Sequence, residues 1–513
     1  MTAVPPPPPT DAAQPDEAPL APALSPATPP LASLPPVVSP TRTDPFARWA
    51  SPLLGGPAGR RVAYPAHRWW TAARVLVLLA ALSTGLGLAQ KNDCRDRGWI
   101  NPDQFVHACY SNLPIEYAGA GSTVAGVLGY GGAENGVSHP VVSSVVMAGI
   151  AAVTNAVAPA FGGDEVRGRV FFDVSAVVLA LVAAVMVFAL TRLTRRRPWD
   201  VTLVAVSPVL VLTGLVSIDL LGVALGVIAV WLWSRDRPLW AGAVLGLAVA
   251  ARFHVLLIAV ALVIVALRQP RWREVTATLG TALAVWLAVN LPWLVSAPDA
   301  FLAPVRAWTD TAPGYGSLMF LPTLVSQSQL QWGRPLTPGE STAVGAMGLA
   351  VVIVVVAVWV LTATRTPRLP AVILMLLVGS LLVSKAVPVQ AAVWVLPWAA
   401  LAVPRWRPHL WWWAFEALYF IAVWQYLVSL TDVNRALPAG YYAVLMVTRL
   451  AALVWLASAA WRWAWRWGAD PGRDPGVGGV RGRADDPAAG PFARPVVARA
   501  KPVRDPERDL IQA

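Results

Sequence analysis

A succession of apolar runs between residues 71 and 462 constrains this chain more than any other feature. The chain has 56% hydrophobic and only 13% charged residues, whereas a soluble domain carries about 25% charged residues. Several runs are shorter than the ~20 residues of a straight helical span, so close neighbours are read as half-helices or tight hairpins. We therefore predict an all-α polytopic membrane protein. The runs are 71–90, 140–160, 170–191, 199–217, 218–234, 239–252, 254–267, 273–293, 342–364, 370–386, 388–403, 410–430 and 439–462.

The orientation of the spans follows from arginines in the short connections, because cytoplasmic loops of membrane proteins are enriched in Lys and Arg. Arg74 opens the first run, and Arg195 to Arg197 follow the third. If both places are cytoplasmic, segment 140–160 must begin and end outside. We read it as a re-entrant or juxtamembrane helix, which leaves about 12 transmembrane helices in a plasma-membrane, multi-pass protein with both termini cytoplasmic.

Three regions follow from composition. Residues 1–68 are rich in Pro and residues 463–513 in Arg, Asp, Gly and Pro, so both are predicted to be disordered cytoplasmic tails. Residues 69–462 form the transmembrane domain. Its two large external loop regions are predicted at 91–169 and 294–341, so a chemical site is expected at the outer face.

The net charge of +12 does not indicate nucleic-acid binding, because the arginines cluster in short connections between apolar runs. No basic recognition helix or stacking platform is present. The sequence also contains no Walker loop, dinucleotide fingerprint or metal-ligand cluster. We predict that the chain binds no metal, no cofactor and no nucleic acid, and that membrane lipids surround it.

The two cysteines, Cys94 and Cys109, lie in the first external loop region. A disulfide is expected in an oxidising compartment, where it would stabilise the fold by roughly 3 kcal/mol. Two free thiols are the alternative.

Three ionisable residues lie at breaks between apolar runs. Asp219 lies in VSIDLLGVAL, where a charged group at membrane depth predicts either a functional site or an interfacial helix cap. Arg252 and His254 interrupt AGAVLGLAVAARFHVLL on the outer side. This basic pair is suited to a lipid phosphate, and snorkelling to headgroups is the alternative.

Loop residues supply further candidates. Glu116 is a candidate general base for a sugar hydroxyl, although any single loop acid is more often simply solvated. Arg169 flanks the run 170–191 and is expected in an ion pair or a phosphate contact. Lys385 and Gln390 lie at another outer break and are candidates for the same phosphate site.

Several motifs resemble a known family in their order and spacing. They are Cys94…Gly98-Trp99…Gln104-Phe105…Ala108 to Ser111, PWDVTLVAVSPVLVLTGLVSIDLLGVAL, AGAVLGLAVAARFHVLL, VNLPWLVSAPDAF, YGSLMF and VQAAVWVLPWAALAVPRWRP. Together, over roughly residues 70–460, they resemble the GT-C superfamily of membrane glycosyltransferases. The resemblance is strongest to glycosyltransferase family 87, the polyprenyl-phosphate-mannose-dependent mannosyltransferases.

The resemblance implies a GT-C-like bundle, a polyprenyl-phosphate sugar donor at the outer face, a glycolipid or glycan acceptor, and inverting transfer. It also implies an aspartate base in the first external loop, at the position where this chain has Asn112. An amide cannot take a proton, so Glu116, four residues on, and Asp219 become the expected catalytic carboxylates. Arg252 stands where the family has lysine, and Gln390 matches a glutamine of the family.

Two other functions are open at this stage. A non-catalytic relative, binding lipid-linked sugars or acting as a scaffold in cell-wall assembly, is suggested by Asn112. A transporter is the other, although the sequence shows no convincing inverted repeat and the spans are nearly uncharged. Activity restored only in Asn112→Asp would favour the first, and ion-driven flux in proteoliposomes the second.

Overall fold

The structure is a computed structural model that describes residues 44–55, 69–128, 139–194, 197–327, 334–431, 437–465, 470 and 486–493. Every regular element among these residues is helical, which confirms the predicted all-α class. The first half of the chain holds α1 Pro45–Gly55, α2 Ala72–Gln90, α3 Asn92–Arg97, α4 Asp103–Val106, α5 Asn112–Gly119, α6 Val124–Val127, α7 Val141–Val157, α8 Arg167–Leu193, α9 Thr202–Ala205, α10 Pro208–Thr213 and α11 Asp219–Ser234. The second half holds α12 Pro238–Ala251, α13 Leu256–Arg268, α14 Trp272–Ser296, α15 Pro298–Asp310, α16 Leu321–Ser326, α17 Pro338–Thr362, α18 Leu369–Leu382, α19 Ala391–Ala402, α20 Trp406–Ser429 and α21 Ala439–Trp463.

Six helices of the described chain are long and apolar enough to cross a membrane, and five shorter apolar helices accompany them. The prediction of about 12 spans is therefore not confirmed. Segment Val141–Phe161 is among the six, and its placement as a re-entrant helix stays a prediction. The six are Ala72–Gln90, Val141–Phe161, Arg167–Leu193, Trp272–Ser296, Pro338–Thr362 and Ala439–Trp463.

The predicted run 199–217 is not one continuous helix. It is divided into a 3-10 turn, α9 and α10. Ser207 caps α10 by accepting a hydrogen bond from Val209 N, and Pro208 occupies the first turn. A proline has no N–H to donate and is tolerated where helices begin, so this pair starts a new helix in the middle of the run.

A helix, Pro45–Gly55, lies within the N-terminal range 1–68 for which disorder is predicted. The Asp44 carboxylate accepts from Phe46 N at 2.9 Å and from Ala47 N at 3.1 Å, at the start of α1. Its other oxygen accepts from Trp406 N at 3.0 Å. One aspartate thereby caps α1 and joins it to the start of α20.

Residues 486–493, within the range 463–513 for which disorder is predicted, contact the bundle. Phe492 is buried beside Trp233, with ring centroids 5.1 Å apart, and Trp233 Nε1 donates to Ala489 O at 3.0 Å. Asp486 accepts from Leu369 N at 3.2 Å. The remainder of both tails lies outside the described residues.

Arg368 joins several of these segments at one end of the bundle. It pairs with Asp470 at 2.8 Å and donates to Leu401 O at 2.7 Å. Asp200, paired with Arg197 at 2.7 Å, is close enough to interact with both Arg368 and Asp44. The described parts of both tails and two of the basic connections therefore lie at the same end.

Helices α12 and α14 pack with their backbones in close approach. A Cβ atom on Gly242 or Gly246 would collide with the carbonyl oxygens of Thr278 and Ala282, respectively. Small residues allow helices to approach in this way where no hydrophobic force drives them together.

We predict that Gly246→Val destabilises the bundle, because the branched side chain must separate α12 from α14. The cost is about 1–3 kcal/mol, typical of overpacking. The measurement is the thermal midpoint of detergent-solubilised protein. Gly280→Ala, on α14 with open space around its Cβ position, is the control and should not lower the midpoint, because alanine is more favourable than glycine in a helix interior. Equal midpoints for Gly246→Val and the wild type would contradict this packing.

Lys91, just beyond α2, is fully buried, and its Nζ has no hydrogen-bond partner among the described residues. Its Nζ lies 5.1 Å from the centroid of the Phe420 ring. Burial, which disfavours the ammonium form, lowers the pKa of Lys91 from 10.5 to about 7.

Stability should therefore rise with pH between about 7 and 10.5, because the unfolded chain still binds a proton there and the folded chain does not. The slope approaches about 1.4 kcal/mol per pH unit. Thermal midpoints measured across this range should rise in the wild type. In Lys91→Met the part of this rise that comes from Lys91 should disappear. The control Arg97→Met, at an exposed site, should show the same rise as the wild type. An identical pH dependence in Lys91→Met and wild type would refute this account.

Candidate functional site

A cavity of about 440 Å³ lies where several helix ends and breaks meet. Its walls come from the first predicted external region, the start of α11, the break after α12, α15 and the start of α19. The lining residues are Asn112, His139, Pro140, Ser217, Asp219, Arg252, Phe253, His254, Pro304, Val305, Trp308, Gln390 and Trp394. Five predicted site residues are thus brought together: Asn112, Asp219, Arg252, His254 and Gln390.

Arg252 enters the cavity because the helix breaks at this residue. α12 ends at Ala251, Arg252 adopts an extended backbone with φ −153° and ψ 127°, and a 3-10 turn follows from Phe253 to Val255. Gly222, one turn into α11, leaves room for the side chain: a Cβ there would lie 2.8 Å from Arg252 Cβ. A larger residue at position 222 would displace the arginine.

Asp219 is the first residue of α11 and is 4% exposed. Its Oδ1 is 2.5 Å from Arg252 Nη2, and its Oδ2 accepts from Trp394 Nε1 at 2.7 Å. The carboxylate therefore binds two side chains from other helices. A functional role for Asp219 stays a prediction.

His139 extends this network on the other side of Arg252. Arg252 Nη1 is 3.1 Å from His139 Nδ1, and His139 Nε2 is 2.9 Å from Glu116 Oε2. Glu116 is not part of the cavity wall, so it reaches the cavity only through the imidazole. A continuous row of contacts runs from Glu116 to Trp394.

His254 and Trp394 form a second wall. Their rings are stacked with centroids 4.2 Å apart and an interplanar angle of 12°. Because the same indole donates to Asp219, Trp394 fixes the imidazole and the carboxylate relative to each other.

Asn112 is positioned by the start of α5. Its backbone N donates to Val216 O at 2.8 Å, and the hydroxyl of Ser111 donates to Leu215 O at 2.9 Å. These bonds attach the first external region to the segment that leads into Asp219, and the asparagine thereby lines the same cavity.

Two predicted phosphate ligands lie elsewhere. Lys385 is 2% exposed, and its Nζ donates to Trp308 O and Thr342 Oγ1, both at 2.8 Å. It joins α15 to α17 and does not line the cavity. Arg169 is exposed and lies 3.9 Å from Asp96, the ion-pair alternative predicted for it.

The structure joins Cys94 and Cys109 by a disulfide. The bond connects α3 to the segment after α4, and both sulfurs belong to buried residues. Among the described residues there is no group of three or more His, Cys, Asp or Glu side chains suited to a metal ion.

Three contributors to the site were missed by the sequence reasoning. They are His139, Trp394 and Gly222, none of which is among the predicted site residues. The available signal was the position of His139 immediately before Pro140 and an apolar run, which marks a helix start near the predicted outer surface.

These features define a membrane protein with a cavity of charged and aromatic residues among its helix ends. Residues 156–384 match glycosyltransferase family 87. The family predicted from the motifs is thereby confirmed for this part of the chain, and it is a family of membrane glycosyltransferases. The match includes Asp219, Arg252 and His254, whereas Asn112 and Glu116 precede it. No curated protein matches the chain.

We predict that Arg252→Met strongly destabilises the protein, because Asp219 is left as a buried charge without a cation. Loss of one partner of a buried pair costs about 3–5 kcal/mol. Adding Asp219→Asn to this variant should restore most of the loss, and thermal midpoints of the four proteins in the double-mutant cycle measure the coupling. The exposed pair of Arg334 and Glu340 is the control, and Arg334→Met should have no measurable effect. If the losses of thermal midpoint caused by the two substitutions simply add, Arg252 and Asp219 are not energetically coupled and the prediction is wrong.

Proposed function

We propose that this protein transfers a sugar from a polyprenyl-phosphate donor to a cell-envelope glycolipid or polysaccharide at the outer face of the membrane. The proposed sugar is mannose. The observation that carries the proposal is Arg252, held at a helix break inside the cavity. Arginine presents a planar set of donors that matches phosphate oxygens. The family match gives the general activity, a membrane glycosyltransferase.

Arg252 retains capacity for an anion. Nη1 and Nη2 contact His139 and Asp219, while its buried Nε has no hydrogen-bond partner among the described residues. His254 lines the same cavity. In the proposal, Arg252 and His254 contact the donor phosphate and stabilise the charge that it gains as the leaving group.

Asp219 is the proposed base, because it is the carboxylate that lines the cavity. The acceptor hydroxyl oxygen attacks the anomeric carbon, the bond from that carbon to the phosphate oxygen breaks, and the lipid phosphate leaves with the electron pair. The hydroxyl proton passes to the carboxylate. A carboxylate accepts several hydrogen bonds, so the contacts with Arg252 and Trp394 leave room for the acceptor.

Asn112 and Gln390 also line the cavity. Their amides donate and accept hydrogen bonds but take no proton, so their proposed role is to orient sugar hydroxyls. The proposed external facing of the cavity rests on the arginine distribution. It is supported by the contacts that place the described parts of both tails and two basic connections at one end of the bundle.

The test uses proteoliposomes with radiolabelled polyprenyl-phosphate mannose and a membrane glycolipid extract as acceptor. Wild-type protein should transfer label. Asp219→Asn should lower the rate about 100-fold or more, because a general base contributes about 10²–10⁴-fold. Arg252→Lys should weaken donor binding, since lysine lacks the planar fork. Arg97→Ala, an exposed arginine outside the cavity, is the matched control.

The second candidate function, a non-catalytic binder of lipid-linked sugar, is favoured by the presence of an amide at position 112 in the cavity wall. It predicts that the wild type binds the donor without transferring it and that Asn112→Asp gains transfer. Transfer by the wild type refutes this candidate. Neither binding nor transfer by any variant would refute both.

A further inference from the structure

A carboxylate and an imidazole lie in line behind Arg252, on the side away from Asp219. Glu116 Oε2 is 2.9 Å from His139 Nε2, and His139 Nδ1 is 3.1 Å from Arg252 Nη1. The side chain of His139 is 9% exposed. The imidazole therefore has both of its nitrogens engaged by charged groups of opposite sign.

The chemistry of these partners determines the tautomer. An arginine side chain only donates hydrogen bonds, so His139 Nδ1 must accept from Arg252 and carries no proton. The proton of the neutral ring is then on Nε2, which donates to the Glu116 carboxylate. The carboxylate thus selects the one neutral tautomer that can hold the arginine.

Arg252 needs such a contact because its own backbone supplies little restraint. Arg252 has an extended backbone between α12 and a 3-10 turn, and its long side chain can adopt many rotamers. Asp219 binds Nη2 and His139 binds Nη1. Contacts on two sides of the guanidinium fix the plane in which it can meet a phosphate.

We propose that His139 is a positioning residue for Arg252 and that Glu116 acts through it, as the residue that selects its tautomer. This inference rests on the proposed function and assigns roles within the same site. It also removes Glu116 from the role of base, since its near oxygen is engaged by His139 and its side chain does not line the cavity.

The contact with Arg252 requires the free lone pair of His139 Nδ1, because a hydrogen at that nitrogen would face an arginine N–H. The charged groups that face the imidazole in the described chain are Glu116 from α5 and Arg252 after α12. Asp219 at the start of α11 is near enough to interact with it. From α7, Ser144 donates its hydroxyl to the His139 carbonyl.

The test compares His139→Leu with His139→Gln. A glutamine amide offers an oxygen that accepts from Arg252 and an N–H that donates to Glu116, and it does not titrate. Leucine offers neither. We expect His139→Leu to lower kcat about 100-fold, the size of effect that small misplacement of a reacting group produces. His139→Gln should recover most of this loss, because its amide can make both contacts.

Donor binding supplies a readout that does not depend on turnover. Polyprenyl phosphate without sugar, titrated into the protein in nanodiscs, should bind more weakly to His139→Leu than to His139→Gln. Glu116→Leu removes the carboxylate that accepts from His139 Nε2, and this variant should therefore resemble His139→Leu. It is the replacement variant if His139→Leu does not fold, as judged by its thermal midpoint.

Wild-type transfer together with equal kcat and equal lipid-phosphate binding for the leucine and glutamine variants would overturn the positioning role and leave the proposed function standing. Loss of transfer in Glu116→Leu, with lipid-phosphate binding at the wild-type level, would also overturn it, since that result is expected of a base. A wild type that neither binds lipid phosphate nor transfers sugar would overturn both proposals.

Discussion

The ion pair between Arg252 and Asp219 is the interaction on which the cavity depends. Both side chains come from helix ends inside an apolar bundle, where an unpaired charge is expensive. The pair holds the start of α11 against the break after α12. Trp394 binds the pair from α19, and His139 binds it from the segment before α7. Four separate parts of the chain therefore meet at one charge pair.

The two ends of the described helical bundle have different structures. At one end Arg368, Asp470 and Asp44 attach the ordered parts of both tails to the helix connections. At the other, helix breaks and short helices surround the cavity. Irregular backbone is tolerated at membrane depth only where protein or water surrounds it. The break at Arg252 meets this condition because it faces the cavity and its partners.

Much of the helical framework was predictable, because helix formation in an apolar run depends on local composition. Runs such as 273–293 and 439–462 correspond to α14 and α21 within a few residues. The run 199–217 shows where this reasoning fails, since Pro208 and Ser207 divide it. In the tails, Asp44 and Ala489 belong to segments with tail composition, yet both form hydrogen bonds with the bundle.

For the site, the sequence by itself determined which ionisable residues interrupt the apolar runs, and Asp219, Arg252 and His254 were found in this way. Only the tertiary structure decided which of them meet. Arg252 and His139 are 113 residues apart, and Trp394 and Asp219 are 175 apart. Such contacts depend on how helices pack, and local composition carries no information about that. For the same reason Lys385, as polar in sequence as Gln390, lies outside the cavity, bound by α15 and α17.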